Sequence, residues 1–127
     1  MSKKSMKLKV IEHEFAICKL RTLEDVDLRQ QYCFLAKTDE EISYICKVES
    51  IPEDCINYKR GWIAFRIQET LDFDLVGVVA GISDILAQEQ ISIYSISTYN
   101  TIYMLIRKEN LKEAVRVLEL NGYNVGK

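Results

Sequence analysis

Two short segments combine acidic, hydroxyl and small residues in a pattern that suits the binding of a small polar molecule. Residues 71–77 read Leu-Asp-Phe-Asp-Leu-Val-Gly, and residues 95–101 read Ser-Ile-Ser-Thr-Tyr-Asn-Thr. Asp72 and Asp74 could serve as an acid/base pair of carboxylates. Acidic residues just before a helix more commonly cap it and complement its dipole. The pattern therefore favours ligand binding over catalysis.

The remaining reactive residue types form no catalytic or metal-binding motif. His13 is the only histidine, and its position between Glu12 and Glu14 indicates a solvated turn residue rather than a general base. No glycine-rich phosphate loop is present. The cysteines lack any C-x-x-C pair, which argues against a zinc site and favours reduced, mostly buried thiols. They are Cys18, Cys33, Cys46 and Cys55. We therefore expect no enzyme activity, no metal and no cofactor.

The composition of the chain argues against some classes of binding partner. The chain has 127 residues, of which 48% are hydrophobic and 28% charged, with a formal net charge of -2. This length corresponds to one compact domain or two small subdomains. Nucleic-acid binding requires a basic excess that this chain lacks. No apolar run approaches the roughly 20 residues needed to span a bilayer, and no signal peptide is recognisable. We expect a cytoplasmic protein with no nucleic-acid or membrane partner.

The first half of the chain is predicted to be mostly extended. Thr38 and Glu41 have the spacing of a capping box, which predicts one short helical turn. Glu12 to Glu14 is predicted to be a turn, and residues 49–59, which contain the only proline, to be a linker. The predicted strands of this half are 7–11, 15–20, 31–36 and 42–46.

The second half is more regular. Apolar residues at helical spacing predict an amphipathic helix from Leu75 to about Gln88. A second helix is predicted to begin with a capping box formed by Asn110 and Glu113, and to end at Gly122. The predicted strands are 62–67, 91–96, 101–107 and 123–125. This order is βαββαβ, the ferredoxin-like α+β fold. We interpret the chain as a reduced copy of that plan in residues 1–58 and a complete copy in residues 59–127.

The same segments resemble a known family. The chain is similar to small bacterial proteins with tandem ACT domains, in a branch similar to the eukaryotic cytosolic arginine sensors. The residues that carry the resemblance are Gly61 to Arg66, Leu71-Asp72-Phe73 with Gly77, Ser97-Thr98-Tyr99, and Thr38 to Glu41. The resemblance implies a non-catalytic regulatory module that binds a small molecule, possibly an amino acid, and forms a homodimer.

The resemblance also implies a binding site where the first strand of the complete copy leads into its first helix. A helix N-terminus offers unpaired N–H groups that suit a carboxylate, and a glycine there allows close approach. Hydroxyl and carbonyl groups of the second segment can accept from an ammonium group. The implied residues are Asp72, Phe73, Asp74, Val76, Gly77, Ser97, Thr98, Tyr99 and Asn100.

An alternative from another class stays open. Relatives commonly carry an acidic residue at the position of Ile102. If that acid holds the ligand's amine, its replacement favours an interaction or assembly domain with a degenerate pocket.

Overall fold

The computed structural model describes residues 6–68 and 75–126, without the side chains of Leu75 and Val76. Within these residues the chain forms seven strands and two α-helices. In chain order they are β1 (Lys7–Leu20), β2 (Phe34–Lys37), β3 (Ile42–Lys47), β4 (Asn57–Ile67), α1 (Leu75–Gln88), β5 (Tyr94–Ser97), β6 (Ile102–Arg107), α2 (Leu111–Leu120) and β7 (Asn124–Gly126). Neither helix is long and apolar enough to cross a membrane.

The chain divides into two compact units. The large unit comprises Met1–Glu12 and Ile63–Lys127, and the small unit is His13–Trp62. The long strands β1 and β4 therefore contribute residues to both units. The large unit thus groups the first residues of the chain with its second half. The predicted boundary between residues 58 and 59 instead follows the sequence repeat. That division into two domain copies stays a prediction.

The large unit contains the βαββαβ order of β4, α1, β5, β6, α2 and β7, so the ferredoxin-like α+β fold is confirmed. Its strands follow the order β1-β4-β6-β5, with β5 and β6 antiparallel. The closing strand β7 pairs in parallel with β1, where Leu8 lies opposite Val125. Residues near the N-terminus thus belong to the sheet of the second half of the chain.

Apolar residues from strands and helices form one core in the large unit. Phe65 and Ile67 alternate along β4 in the pattern expected of a half-buried strand. Ile82 and Leu86, four residues apart on α1, lie on the face of the helix that packs against this core. The core also holds Met6, Leu8, Val10, Ile91, Ile102, Met104, Ile106, Ala114, Val117, Leu118 and Tyr123.

Helix α2 ends as predicted but begins differently. Gly122 has φ of 96°, and the Tyr123 N–H donates to the Leu118 carbonyl at 3.1 Å, which is the hydrogen bond of a Schellman cap. The predicted capping box is wrong, because the Asn110 side chain makes no capping hydrogen bond. A 3-10 turn, Lys108–Asn110, leads directly into the helix. Glu113 instead accepts from Arg116 at 2.6 Å, one turn further along.

The small unit is a sheet with the strand order β2-β3-β1-β4. β1 and β3 are antiparallel, with Ala16 opposite Cys46 and Cys18 opposite Tyr44. The predicted turn at Glu12 to Glu14 is wrong, because β1 continues through it. These polar residues mark an exposed stretch of strand, and Glu14 accepts from Arg60 of β4 at 2.9 Å.

Two hairpins are built alike. In the β2–β3 turn the Thr38 hydroxyl accepts from the Glu41 N–H at 3.1 Å, and the Thr38 N–H donates to the Glu41 carbonyl. Thr98 and Thr101 make the equivalent bonds in the β5–β6 turn, at 3.2 and 2.8 Å. The predicted helical turn at residues 38–41 is therefore wrong, since the threonine closes a hairpin. Both hairpins run into a 3-10 turn, and each element of the second begins sixty residues after its counterpart.

Candidate functional site

A polar cleft of about 370 Å³ lies in the large unit, where the end of β4 meets the β5–β6 turn. Outward-facing residues at the end of β4 supply one wall, and the turn with the start of β6 supplies the other. The lining residues are Arg66, Ile67, Gln68, Thr98, Asn100, Thr101 and Tyr103.

Arg66 is the charged centre of the cleft. Its Nη1 donates to the Tyr103 hydroxyl at 3.1 Å, and its Nε donates to Gln68 Oε1 at 3.3 Å. The guanidinium carbon lies 5.9 Å from the centre of the Tyr103 ring, within the range of a cation–π contact. Arg66 and Tyr103 are both half-buried. These contacts fix the position of the guanidinium.

The β5–β6 turn is fixed to the end of β4. Thr101 Oγ1 donates to the Ile67 carbonyl at 2.7 Å, which ties the turn to the neighbouring strand. Within the turn, the Thr98 hydroxyl donates to the Thr101 carbonyl at 3.1 Å and accepts from its N–H. These bonds hold the two walls of the cleft at a fixed separation.

The charges of the cleft favour an anionic group. Among the described residues that line it, Arg66 carries the only charge, and the others are neutral amides, hydroxyls and Ile67. A planar guanidinium suits a carboxylate, which it can bind through two parallel hydrogen bonds. The equivalent turn of the small unit borders a depression whose lining includes both cations and carboxylates, so its charges largely offset. They are Lys19, Arg21 and Lys37 with Glu40 and Glu41.

The structure brings together only part of the predicted binding site. Thr98 and Asn100 line the cleft. Ser97 and Tyr99 are exposed and do not line it, and the Tyr99 side chain is fully in solvent.

The helical part of the prediction lies further along the chain. Val76 and Gly77 stand in the first turn of α1, where Gly77 is exposed. Asp72, Phe73 and Asp74 lie outside the described residues. The set of nine residues as a whole stays a prediction.

Four polar lining residues were not among the nine predicted site residues: Arg66, Gln68, Thr101 and Tyr103. Arg66 and Gln68 alternate with the buried Phe65 and Ile67, and this alternation alone indicates that they face away from the core. Tyr103 alternates in the same way between Ile102 and Met104. Pairing β4 with β6 would have placed the three outward-facing residues together.

Ile102 is not part of the cleft. Its side chain packs in the core of the large unit and is 1% exposed. The polar character of the cleft therefore does not depend on the residue at this position.

Comparison with known families finds a match over part of the chain. Residues 57–119 match the family model of the ACT domain. Among curated protein sequences, none matches the chain.

Solved structures extend the likeness to nearly the whole chain. A protein from Agrobacterium tumefaciens, solved by a structural genomics consortium, has a TM-score of 0.85 and 25% identity, covering 96% of this chain and 93% of that one. A Vibrio cholerae protein of unknown function, described as a possible transport protein, has a TM-score of 0.72 and 18% identity over 95% of this chain and 93% of that one. The regulatory subunit of aspartate kinase from Thermus thermophilus, in its ligand-free form, has a TM-score of 0.62 and 10% identity over 90% and 95%. The chain therefore has the ACT fold.

Proposed function

We propose that this chain, which has the ACT fold, is a non-catalytic regulatory module that binds an amino acid in the cleft beside the β5–β6 turn. The observation that carries the proposal is the guanidinium of Arg66, held by Tyr103 and Gln68 in a cleft lined by amides and hydroxyls. We place the protein in the cytoplasm, as a homodimer, without nucleic-acid or membrane partners.

The chemistry of the cleft matches the two charged groups of an amino acid. The guanidinium of Arg66 suits the α-carboxylate. The amide oxygens of Gln68 and Asn100 can accept from the α-ammonium group. A volume of about 370 Å³ falls at the lower end of the range of small-molecule sites. The positive charge favours a neutral or acidic ligand side chain over that of arginine, because like charges repel.

The described lining residues support binding rather than catalysis. They include no histidine, cysteine or carboxylate that could act as a nucleophile or as a general base near neutral pH. By the resemblance, Asp72, Phe73, Asp74, Val76 and Gly77 complete the site, with the N-terminus of α1 offering its N–H groups.

The internal repeat supports the interpretation of the chain as a small tandem ACT protein of bacterial type. The β2–β3 and β5–β6 hairpins share strand lengths, a four-residue turn and a threonine hydroxyl that bridges the turn. Two copies of one structural plan would produce the same hairpin in both halves of the chain. Here the two hairpins are sixty residues apart. The similarity to the arginine sensors stays part of this proposal.

A thermal-shift screen of the full chain against the standard amino acids tests the proposal. A ligand present at a hundred times its dissociation constant stabilises the folded state by about 2.7 kcal/mol, which raises the melting temperature by several degrees. Arg66→Gln should weaken the binding of any hit at least tenfold, because the carboxylate loses its charged partner. Arg107→Gln is the matched control, since Arg107 is exposed at the end of β6 and outside the cleft lining. Equal affinity of both variants and the unmodified chain would exclude the cleft as the site.

A second variant tests the helical end of the site. Gly77→Val adds a branched side chain in the first turn of α1 and should abolish the ligand effect while the fold stays intact. Circular dichroism of the variant verifies the fold. Unchanged ligand affinity in Gly77→Val would remove the start of α1 from the site.

A specific observation favours the second candidate, an interaction or assembly domain. β5 ends the strand order of the large unit, and exposed tyrosines stand on it and beyond it at Tyr94 and Tyr99. An edge strand offers backbone groups for pairing with another chain. If β5 forms the contact of a homodimer, Ser95→Pro should yield monomers in sedimentation experiments, because proline removes a backbone donor. Dimerisation by unmodified chains without any hit in the ligand screen would favour this candidate.

A further inference from the structure

All four cysteines of the chain gather in the core of the small unit. Cys18 and Cys46 are buried, at 1% and 0% exposure, and Cys33 and Cys55 pack against the same cluster while remaining partly exposed. All four thiols are free. No three groups among the described residues are placed to hold a metal ion together. The cluster thus brings four free thiols together in one part of the small unit.

Cys18 belongs to the buried part of this cluster, and the partly exposed Cys55 packs against that part. The backbone brings these two residues together, because the Ile56 N–H donates to the Lys19 carbonyl at 2.8 Å and thereby places Cys55 beside Cys18. Cys33 differs, since its thiol donates to the Gln30 carbonyl at 3.7 Å.

The thiols also differ in acidity. Hydrogen bonds, first from Cys46 and then from Cys55, lower the pKa of Cys18. Burial raises the pKa of Cys55. The hydrogen bond with Cys18 raises the pKa of Cys46, which keeps its proton. Because a thiolate is the attacking species in disulfide formation, Cys18 is the better nucleophile of the three.

Backbone geometry distinguishes between the two neighbours of Cys18. Cys18 and Cys46 are diagonal across β1 and β3, and such positions have Cα atoms about 7 to 8 Å apart, beyond the usual span of a disulfide. Cys55 lies outside the strands, in a turn closed by its own N–H on the Pro52 carbonyl at 3.3 Å. Its backbone can therefore adjust to the geometry of a bond.

We propose that Cys18 and Cys55 form a reversible disulfide when the protein meets a peroxide. Exposure decides which thiol reacts first, because peroxide reaches the partly exposed Cys55 and not the buried Cys18. Hydrogen peroxide oxidises the Cys55 thiol, through its thiolate, to a sulfenic acid, and one water leaves. The Cys18 sulfur then attacks the Cys55 sulfur, the S–O bond breaks, and the second water leaves with the Cys18 proton. In sum, two thiols lose two electrons and two protons to one peroxide, which becomes two waters. A dithiol reductant reverses the reaction.

The sequence makes this proposal directly testable. Cleavage after lysine and arginine places each cysteine on its own peptide: residues 10–19, 30–37, 38–47 and 48–59. The folded full chain would be treated with hydrogen peroxide, blocked with an alkylating agent, digested without reductant and analysed by mass spectrometry. We expect a linked pair of peptides 10–19 and 48–59, which dithiothreitol separates.

Two variants complete the experiment. Cys55→Ser should abolish the linked pair, whereas Cys33→Ser, which changes the other partly exposed cysteine of the cluster, should leave it unchanged. Circular dichroism before and after oxidation verifies that the chain stays folded. Four free thiols after treatment, a different linked pair, or a link between two chains would overturn the proposal.

Discussion

At Gly61 the backbone conformation favours glycine, although there is space for a larger side chain. This residue has φ of 92° within β4, a conformation that glycine adopts freely and other L-residues rarely do. A Cβ atom built there would meet no atom within 4 Å. Any cost of substitution therefore arises from the conformation itself.

Gly61→Ala should lower the free energy of unfolding by about 1–2 kcal/mol, because a Cβ is strained at positive φ. Chemical denaturation of both proteins measures the difference. Gly126→Ala is the matched control, since that glycine also has open space around its Cβ position but lacks a positive φ. An equal effect of the two substitutions would contradict the conformational explanation.

Tyr44 holds the loop of the small unit against its core. The ring is fully buried, the hydroxyl donates to the Asp27 carbonyl at 3.2 Å, and it accepts from Gln30 Nε2 at 2.6 Å. Burial raises the pKa of Tyr44 from 10.0 to about 12. The folded chain therefore holds this proton more tightly than the unfolded chain.

This pKa shift gives a pH dependence with a definite sign. Below pH 10 both states keep the Tyr44 proton, so its full contribution to stability is present. Between pH 10 and about 12 the unfolded state loses the proton first, and stability falls as pH rises. The fall should be smaller in Tyr44→Phe than in Tyr99→Phe, which changes a fully exposed ring. Denaturation curves at several pH values measure it, and identical slopes in the two variants would refute the assignment.

At the scale of elements, a threonine hydroxyl closes the turn of each hairpin, Thr38 between β2 and β3 and Thr98 between β5 and β6. Thr98→Val removes the hydroxyl that accepts from the Thr101 N–H and donates to its carbonyl. We expect a loss of about 0.5–1.5 kcal/mol in the free energy of unfolding, the typical net value of a lost hydrogen bond. Tyr99→Ser in the same turn should cost less, because that side chain is fully exposed. A larger loss in Tyr99→Ser would show that the hydroxyl is not what stabilises the turn.

The helices were predictable because their signals are local. The apolar spacing predicted α1 at the observed residues, and Gly122 marked the end of α2. The signals that misled were also local. Thr38 and Glu41 have the spacing of a helix cap, but the same hydrogen bond from the Glu41 N–H closes a hairpin turn. Only the pairing of β2 with β3 distinguishes the two outcomes.

The candidate site was less predictable, since it forms between elements. Thr98 and Asn100 stood out by their residue types within one segment. Arg66 and Tyr103 are far apart in the sequence, and their contact of 3.1 Å depends on β4 lying beside β6. Such pairings are fixed by the register of the sheet, which a local pattern does not specify.

At the scale of the whole molecule, the first strand completes a core that is otherwise built from the second half of the chain. Met6, Leu8 and Val10 are each at most 3% exposed and belong to the core of the large unit. Lys7 to Lys9 also pair with β7. The sequence repeat did not predict this contribution of the N-terminal residues to the core, because pairing between distant segments produces no periodic pattern in the sequence.

Residues 59–127 alone should therefore fail to fold, although they contain a complete βαββαβ order. Burial of three large apolar side chains contributes roughly 5–9 kcal/mol, which is comparable to the whole stability of a domain. The matched comparison is a chain in which a short Gly/Ser linker replaces residues 13–62, which keeps the large unit entire. We expect cooperative thermal unfolding of this linked chain and none of residues 59–127. Cooperative unfolding of both would instead show that the second copy is independently stable, as the repeat alone suggests.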